Sequence, residues 1–189
     1  MRNVTGLPDN LTEYSEKIFS DNVERGWWKR GEDGEVQSRN VGELLCLIHS
    51  EIDEADSDRM DEKLPHRFEV EVELADTAIR IFDMLGFYKV DIDFRRMKLE
   101  EPLPLPIGTY RADWLMVLHK YTSTAMEFFR KGNSDVGCTE LVKLLGAIHF
   151  CAIAFELDLH GAIDEKLQYN AHRADHKLEN RQKEGGKAF

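Results

Sequence analysis

The sequence predicts an all-α protein, a bundle of about five to six helices in a single domain. Three observations carry that prediction. Apolar residues recur at helical spacing through successive stretches, with no period-two alternation to suggest strands. Residues with cap chemistry head several of those stretches. Only five prolines occur in 189 residues. Hydrophobic residues make up 42% and charged ones 32% of the chain, the balance of a soluble, helix-rich protein, and the length suffices for one substantial core.

In chain order, Asn10 followed by Glu13 has capping spacing, and Leu11, Ile18 and Phe19 stripe a first helix that ends near Gly26. Trp27 and Trp28 follow, then a polar loop with Gly31 and Gly34. Asn40 and Glu43 form a second capping box, and Leu44, Leu45, Ile48, Ile52 and Ala55 define a helix over about 41–59. Pro65 marks a turn. Phe68, Val72, Ala75, Ile79 and Phe82 stripe a third helix over about 67–85, with Gly86 as its C-cap. Pro102, Pro104 and Pro106 rule out helix and make 101–109 a linker between a first half of about 10–100 and a second of about 110–180. Leu115, Leu118, Ala125 and Phe129 mark a helix over 111–130, followed by a turn at Gly132-Asn133-Ser134. A strongly apolar helix over 136–157 carries Leu141, Leu144, Leu145, Ile148 and Phe155. The sixth begins near Gly161 and loses its apolar pattern toward Arg173; the tail, 184–189, reads as loose or docked on a partner.

A repeat runs beneath this pattern. Leu47-Ile48-His49 aligns with Val117-Leu118-His119, and the register continues to Ala55 and Ala125. Carried forward, it sets Glu51, Glu54, Glu73 and Asp76 against Tyr121, Thr124, Lys143 and Gly146. The alignment reads as a duplicated helical hairpin whose second copy keeps its packing and has dropped its acids. A chance likeness between two amphipathic helices is the alternative.

A net charge of −11 argues against a nucleic-acid polymer as partner, while a small phosphorylated ligand stays open because bound metal supplies local positive charge. Cys46, Cys138 and Cys151 are odd in number and lack a CxxC pattern, which argues for reduced thiols. The first residues lack the apolar core of a signal peptide, and no run approaches the roughly 18 apolar residues of a spanning helix. The expectation is a soluble, cytoplasmic protein with no membrane partner.

The acids are the chemistry-bearing pattern. Glu51 with Glu54, and Glu73 with Asp76, each stand three residues apart, neighbours on one helical face. In the second helix Leu44, Leu47, Glu51, Glu54 and Asp58 follow one another at steps of three and four, so the acids prolong an apolar stripe. In the third, Glu69, Glu73, Asp76, Arg80 and Asp83 run between Val72, Leu74, Ala75 and Ile79. Partly buried carboxylates repel one another unless cations or arginines sit among them. The bland alternative is that a chain with 36 acidic residues has many such pairs on wetted faces. None of the seven histidines follows a glutamate by three residues, which removes a di-iron carboxylate bundle. An all-oxygen set favours Mg²⁺, with Mn²⁺ as substitute.

Glu51-x-x-Glu54 followed by Glu73-x-x-Asp76 resembles the motif pair of the MazG-like, all-α nucleoside triphosphate pyrophosphohydrolases. Lys166-x-x-x-Asn170-x-x-Arg173 is similar to the late element of that superfamily, and Gly26-Trp27-Trp28 to an aromatic segment of many members. The distance of the late element from the acids suits the dimeric dUTPase-like branch. One departure stands out: the first motif usually opens with two adjacent glutamates, and Ser50 holds the first of those positions.

The resemblance implies hydrolysis of a nucleoside triphosphate to monophosphate and pyrophosphate. Glu51, Glu54, Glu73 and Asp76 would hold Mg²⁺, with Glu51 or Glu54 as general base. Lys166 and Arg173 would contact phosphates, Asn170 a phosphate or the sugar, and Trp27 or Trp28 the base. Each has an ordinary alternative: surface charge for Lys166 and Arg173, a cap for Asn170, packing for the tryptophans. A homodimer or higher oligomer is expected, because three amphipathic helices per half leave apolar stripes to cover. Two rival functions remain, a non-catalytic helical adaptor that keeps the scaffold and a phosphoribosyl-ATP pyrophosphohydrolase-like enzyme.

Overall fold

A computed structural model describes residues 3–93, 106 and 110–173. Among these residues the chain forms six helices and no strand: α1 (Leu11–Glu24), α2 (Val41–Glu54), α3 (Glu69–Phe87), α4 (Arg111–Arg130), α5 (Ser134–Ala154) and α6 (Leu159–His172). The all-α bundle follows from the apolar spacing. The expected tail lies outside the described residues, as does all of the expected linker except Pro106. At the centre stands α3, packed on α1, α2, α5 and α6, while α2 also packs on α4 and α4 on α5. Leu74, Ala75, Val72 and Met84, spread around the axis at about 100° per residue, are all buried, as a helix surrounded by others requires.

Local chemistry sets the ends, and several differ from the sequence reading. Helix α2 stops at Glu54, short of Arg59. Beyond it the Asp61 carboxylate accepts from the Lys63 and Leu64 amides at 2.8 and 2.5 Å, a turn that competes with helix. Asp58 therefore leaves the α2 stripe and pairs with Arg111. Gly86, expected as a C-cap, lies inside α3. A Cβ there would stand 2.5 Å from the Phe19 Cβ and 2.6 Å from the Ser15 carbonyl, so the glycine is what lets α1 approach α3. Asn40 caps α2 as expected, accepting from the Gly42 and Glu43 amides at 2.9 and 3.4 Å. Asn10 makes no such bond to α1 and instead donates to Glu13 at 3.0 Å.

Helix α5 has the length and apolar composition of a membrane span, contrary to the reading that no run comes near one, yet 67% of that stretch is buried in the bundle. Its apolar surface is that of a core helix.

The first helices of the two expected hairpins match in burial as well as in letters. From 41 to 55 and from 111 to 125 buried, half-buried and exposed positions match in register, except at Gly42/Ala112 and Glu54/Thr124. Leu44, Leu45, Ile48, Ile52 and Ala55 have Trp114, Leu115, Leu118, Thr122 and Ala125 as counterparts. At the α2–α4 contact the equivalent residues His49 and His119 meet, with Nδ1 to Nδ1 at 2.7 Å. Their ring centres are 5.0 Å apart and the rings 21° from parallel, so the nitrogens face each other along the line of centres and share one proton. Contact between equivalent positions is what a twofold relation inside one chain would give. The apolar stripes of α2 and α3 thus pack on α4 and α5.

Burial lowers the pKa of His49, helped by His119, and also that of His119, against the pull of Asp53. Lowered values mean that the folded chain binds fewer protons than the unfolded one below about pH 6.5, so stability falls as the pH drops. We predict that, on going from pH 7 to 5, wild type loses melting temperature relative to His119→Asn, measured by thermal denaturation of the two proteins side by side. Parallel profiles in the two proteins would contradict the shared-proton contact.

Candidate active site

Helix α2 delivers Glu51 and Glu54 to the mouth of a cleft of about 290 Å³, and α3 delivers Glu73 and Asp76 opposite them. One carboxylate oxygen from each of Glu51, Glu54 and Glu73 lies within 4.8 Å of the others. Three of the four expected acids are therefore brought together, Asp76 not being among the converging oxygens, and the donors are all hard oxygens, the set a small divalent cation takes. Glu51 and Glu73 are 8% and 6% exposed, while Glu54 is exposed at the rim.

The three inner acids each have a neutralising arrangement. Arg80, one turn beyond Asp76 on α3, places Nε and Nη2 2.7 and 2.5 Å from Glu51 Oε1. Glu73 is pushed up to about 8 by burial, by the charge on Asp76 and by a hydrogen bond with Glu51. Asp76 meets Lys166 Nζ at 2.6 Å, an ion-pair contact that lacks hydrogen-bond alignment. Burial works to lower the Lys166 pKa, but Asp76, Glu73 and Asp61 outweigh it and hold the ammonium charged. Glu54 accepts from the Ser50 hydroxyl at 3.1 Å, so the residue at the motif's departed position orients a neighbour.

Lys166 reaches Asp76 because α6 is clamped in register. Arg67 is buried and grips Glu165 through Nε and Nη2 at 2.9 and 2.8 Å, and Asp158 at 3.1 Å. Glu165, bonded by Arg67 and His66, is held down to about 2. Asp158 caps α6 by accepting from the Gly161 amide and also takes a 2.7 Å bond from the Thr5 hydroxyl. Tyr14 on α1 donates to Asp164 at 2.7 Å. Three parts of the chain thus fix one helix.

Of the remaining expected residues, Asn170 and Arg173 line the cleft on the α6 side and Trp27 lines it beyond α1. Asn170 Oδ1 is buried without a hydrogen-bond partner, the signature of an atom placed for a ligand or water. The Arg173 guanidinium lies over Tyr169, 5.6 Å from the ring centre. Trp28 is the correction. It is 2% exposed, stacked on Phe87 with ring centres 4.6 Å apart, and its indole N–H donates to Asp83 at 2.9 Å. With Phe87 on its ring it offers no face to a base; it is core, and it holds Asp83. Lys166 too differs from expectation: 1% exposed and paired to Asp76, it acts first on a carboxylate.

The sequence reading assigned no role to Arg80, Arg39 or Asn22, which also line the cleft. Arg80 was legible, since it stands four residues after Asp76 on the acidic face. Asn22 bonds Asp83, and Arg39 stacks over Trp28 at 5.6 Å, both joining parts distant in sequence. Burial raises Asp83 to about 6 against the bonds from Trp28 and Asn22 and the nearby charge of Arg39 and Arg80. In the second hairpin the counterparts of the acids form no such trio among the described residues; Lys143 pairs with Glu140 at 2.7 Å.

Compared with known proteins, the chain matches no family model, no curated sequence and no solved structure.

A carboxyl held protonated must give up its proton to a cation. With Glu73 raised to about 8, Mg²⁺ affinity should climb with pH by up to about tenfold per unit between pH 6 and 8, with a proton released on binding. The same raised value means that the metal-free protein binds more protons than the unfolded chain from pH 4.5 to 8, and so loses stability as the pH rises. Calorimetric titration in buffers of different ionisation heat checks this. A pH-independent affinity, or a slope that persists in Glu73→Gln, would contradict it.

Proposed function

We propose that the protein is a Mg²⁺-dependent nucleoside triphosphate pyrophosphohydrolase, converting a nucleoside triphosphate and water to the monophosphate and pyrophosphate. The observation that carries this reading is the meeting of three carboxylates from α2 and α3 with Asn170 of α6 and Arg173 just beyond it in one cleft, with Lys166 buried behind Asp76. Oxygen donors on one side and cations on the other are what a metal-bound polyphosphate requires.

In this reading Glu51, Glu54 and Glu73 hold the cation. When bound, Mg²⁺ supplies charge neutralisation toward phosphate oxygens and acidity toward water. Glu54 is the ligand with open space before it, and it is steadied by Ser50. It orients the attacking water and accepts its proton. Lys166 keeps Asp76 aimed at the acid cluster. Arg173 meets the phosphate chain, where a planar guanidinium grips two oxygens at once, and the unpartnered Asn170 oxygen accepts from a sugar hydroxyl or a water. Trp27, half-buried on the wall beyond Asn22, is the aromatic surface nearest to hand for a base.

The test is a panel of ribo- and deoxyribonucleoside triphosphates with and without Mg²⁺, scored by pyrophosphate release. Release is expected only with metal, and Glu54→Gln should lower kcat by roughly 100-fold or more, the scale of a lost general base, with helicity unchanged by circular dichroism. Turnover that survives in both Glu54→Gln and Asp76→Asn would refute the assignment.

A further inference from the structure

Two cations neutralise acids in this cleft, and they are built differently. Lys166 is 1% exposed and locked in place by the clamp on α6. Arg80 stands on the cleft wall with its side chain 37% exposed. A guanidinium offers five N–H donors, yet both short contacts of Arg80 go to one oxygen, Glu51 Oε1. Glu51 also belongs to the trio whose oxygens converge within 4.8 Å. A divalent cation and Arg80 therefore compete for the same carboxylate, and two positive groups on it would repel one another. Further along the cleft wall, Arg80 lies close enough to Asp83 to interact with it electrostatically.

We propose that Arg80 is the stand-in counter-ion of the metal-free cleft, displaced from Glu51 by the cation and thereby freed to bind the phosphate chain of the substrate. This rests on the reading of the cleft as a metal-dependent phosphoanhydride site and adds an order to it. The cation loads first and releases the donor fork that recognises the second ligand. Before loading, the same contact neutralises the buried Glu51 carboxylate. Arg80 thus touches substrate only in the loaded state, and a charge that stabilises the empty site opposes the first ligand while aiding the second.

That opposition of signs separates this role from a structural one. Mn²⁺ alone is titrated into wild type, Arg80→Gln and Arg80→Lys, followed by spin resonance. Inorganic tripolyphosphate is then titrated into each protein with the site saturated by Mg²⁺. Arg80→Gln should bind Mn²⁺ about three- to tenfold more tightly than wild type, since one competing charge is gone. It should bind tripolyphosphate about tenfold or more weakly, the loss of a bidentate donor. Arg80→Lys should stay near wild type for Mn²⁺ and recover part of the tripolyphosphate affinity. Mn²⁺ binding that is unchanged or weaker in folded Arg80→Gln overturns the proposal, as does unchanged tripolyphosphate binding. Glu51→Gln gives the test from the other side and serves if Arg80→Gln does not fold. Without metal it should bind tripolyphosphate more tightly than metal-free wild type, and equal affinity overturns the proposal. A wild type that binds no Mn²⁺ at all refutes the reading of the cleft itself, an outcome distinct from metal binding that ignores Arg80.

Discussion

Carboxylates do not gather in a half-buried cleft unless something neutralises them, because desolvation and mutual repulsion both act against the charged form. The structure answers that constraint three ways at once. Glu51 has Arg80, Asp76 has Lys166, and Glu73 keeps its proton. Much of the architecture around the cleft follows from these arrangements. A buried lysine is costly unless its partner is in place, so α6 must be held in register. Arg67, Glu165, Asp158 and Thr5 do so from the far side of that helix.

The scaffold that carries the acids is one of two hairpins. Helix α4 repeats the burial pattern of α2 and meets it at His49 and His119, while α5 packs on α3. One hairpin presents polar chemistry to the cleft and the other covers its apolar side. This division explains why α5 can be apolar enough to resemble a membrane span and yet be a core helix. It also explains why Tyr121 and Lys143 stand where the first copy has acids: a hairpin that serves as packing has no need to hold a cation.

Much of this was legible in the letters, for physical reasons. The apolar stripes placed six helices because helical spacing and burial are the same fact seen twice. The acids of α2 and α3 were legible because they interrupted those stripes, where solvated acids have no reason to sit. Features that depend on residues far apart in sequence were not. Nothing local marks Arg67 as a buried clamp, or indicates that Lys166 spends its charge on Asp76. Adjacent tryptophans looked alike, yet neighbours on a loop face different ways, and Trp28 became core. The continuation of the acidic stripe to Asp58 was accidental, since the Asp61 turn had already drawn the chain away. Gly86 was read by its commonest use, when the need came from the approach of α1.

The claim on which the account turns is that Glu51, Glu54 and Glu73 form a single cation site in the first hairpin. Anomalous diffraction from a crystal soaked in Mn²⁺ examines it directly. The account predicts one strong peak between those three carboxylates and none at the matching place near Tyr121 and Lys143. Absence of a peak at the three acids, or an equal peak in the second hairpin, would contradict it.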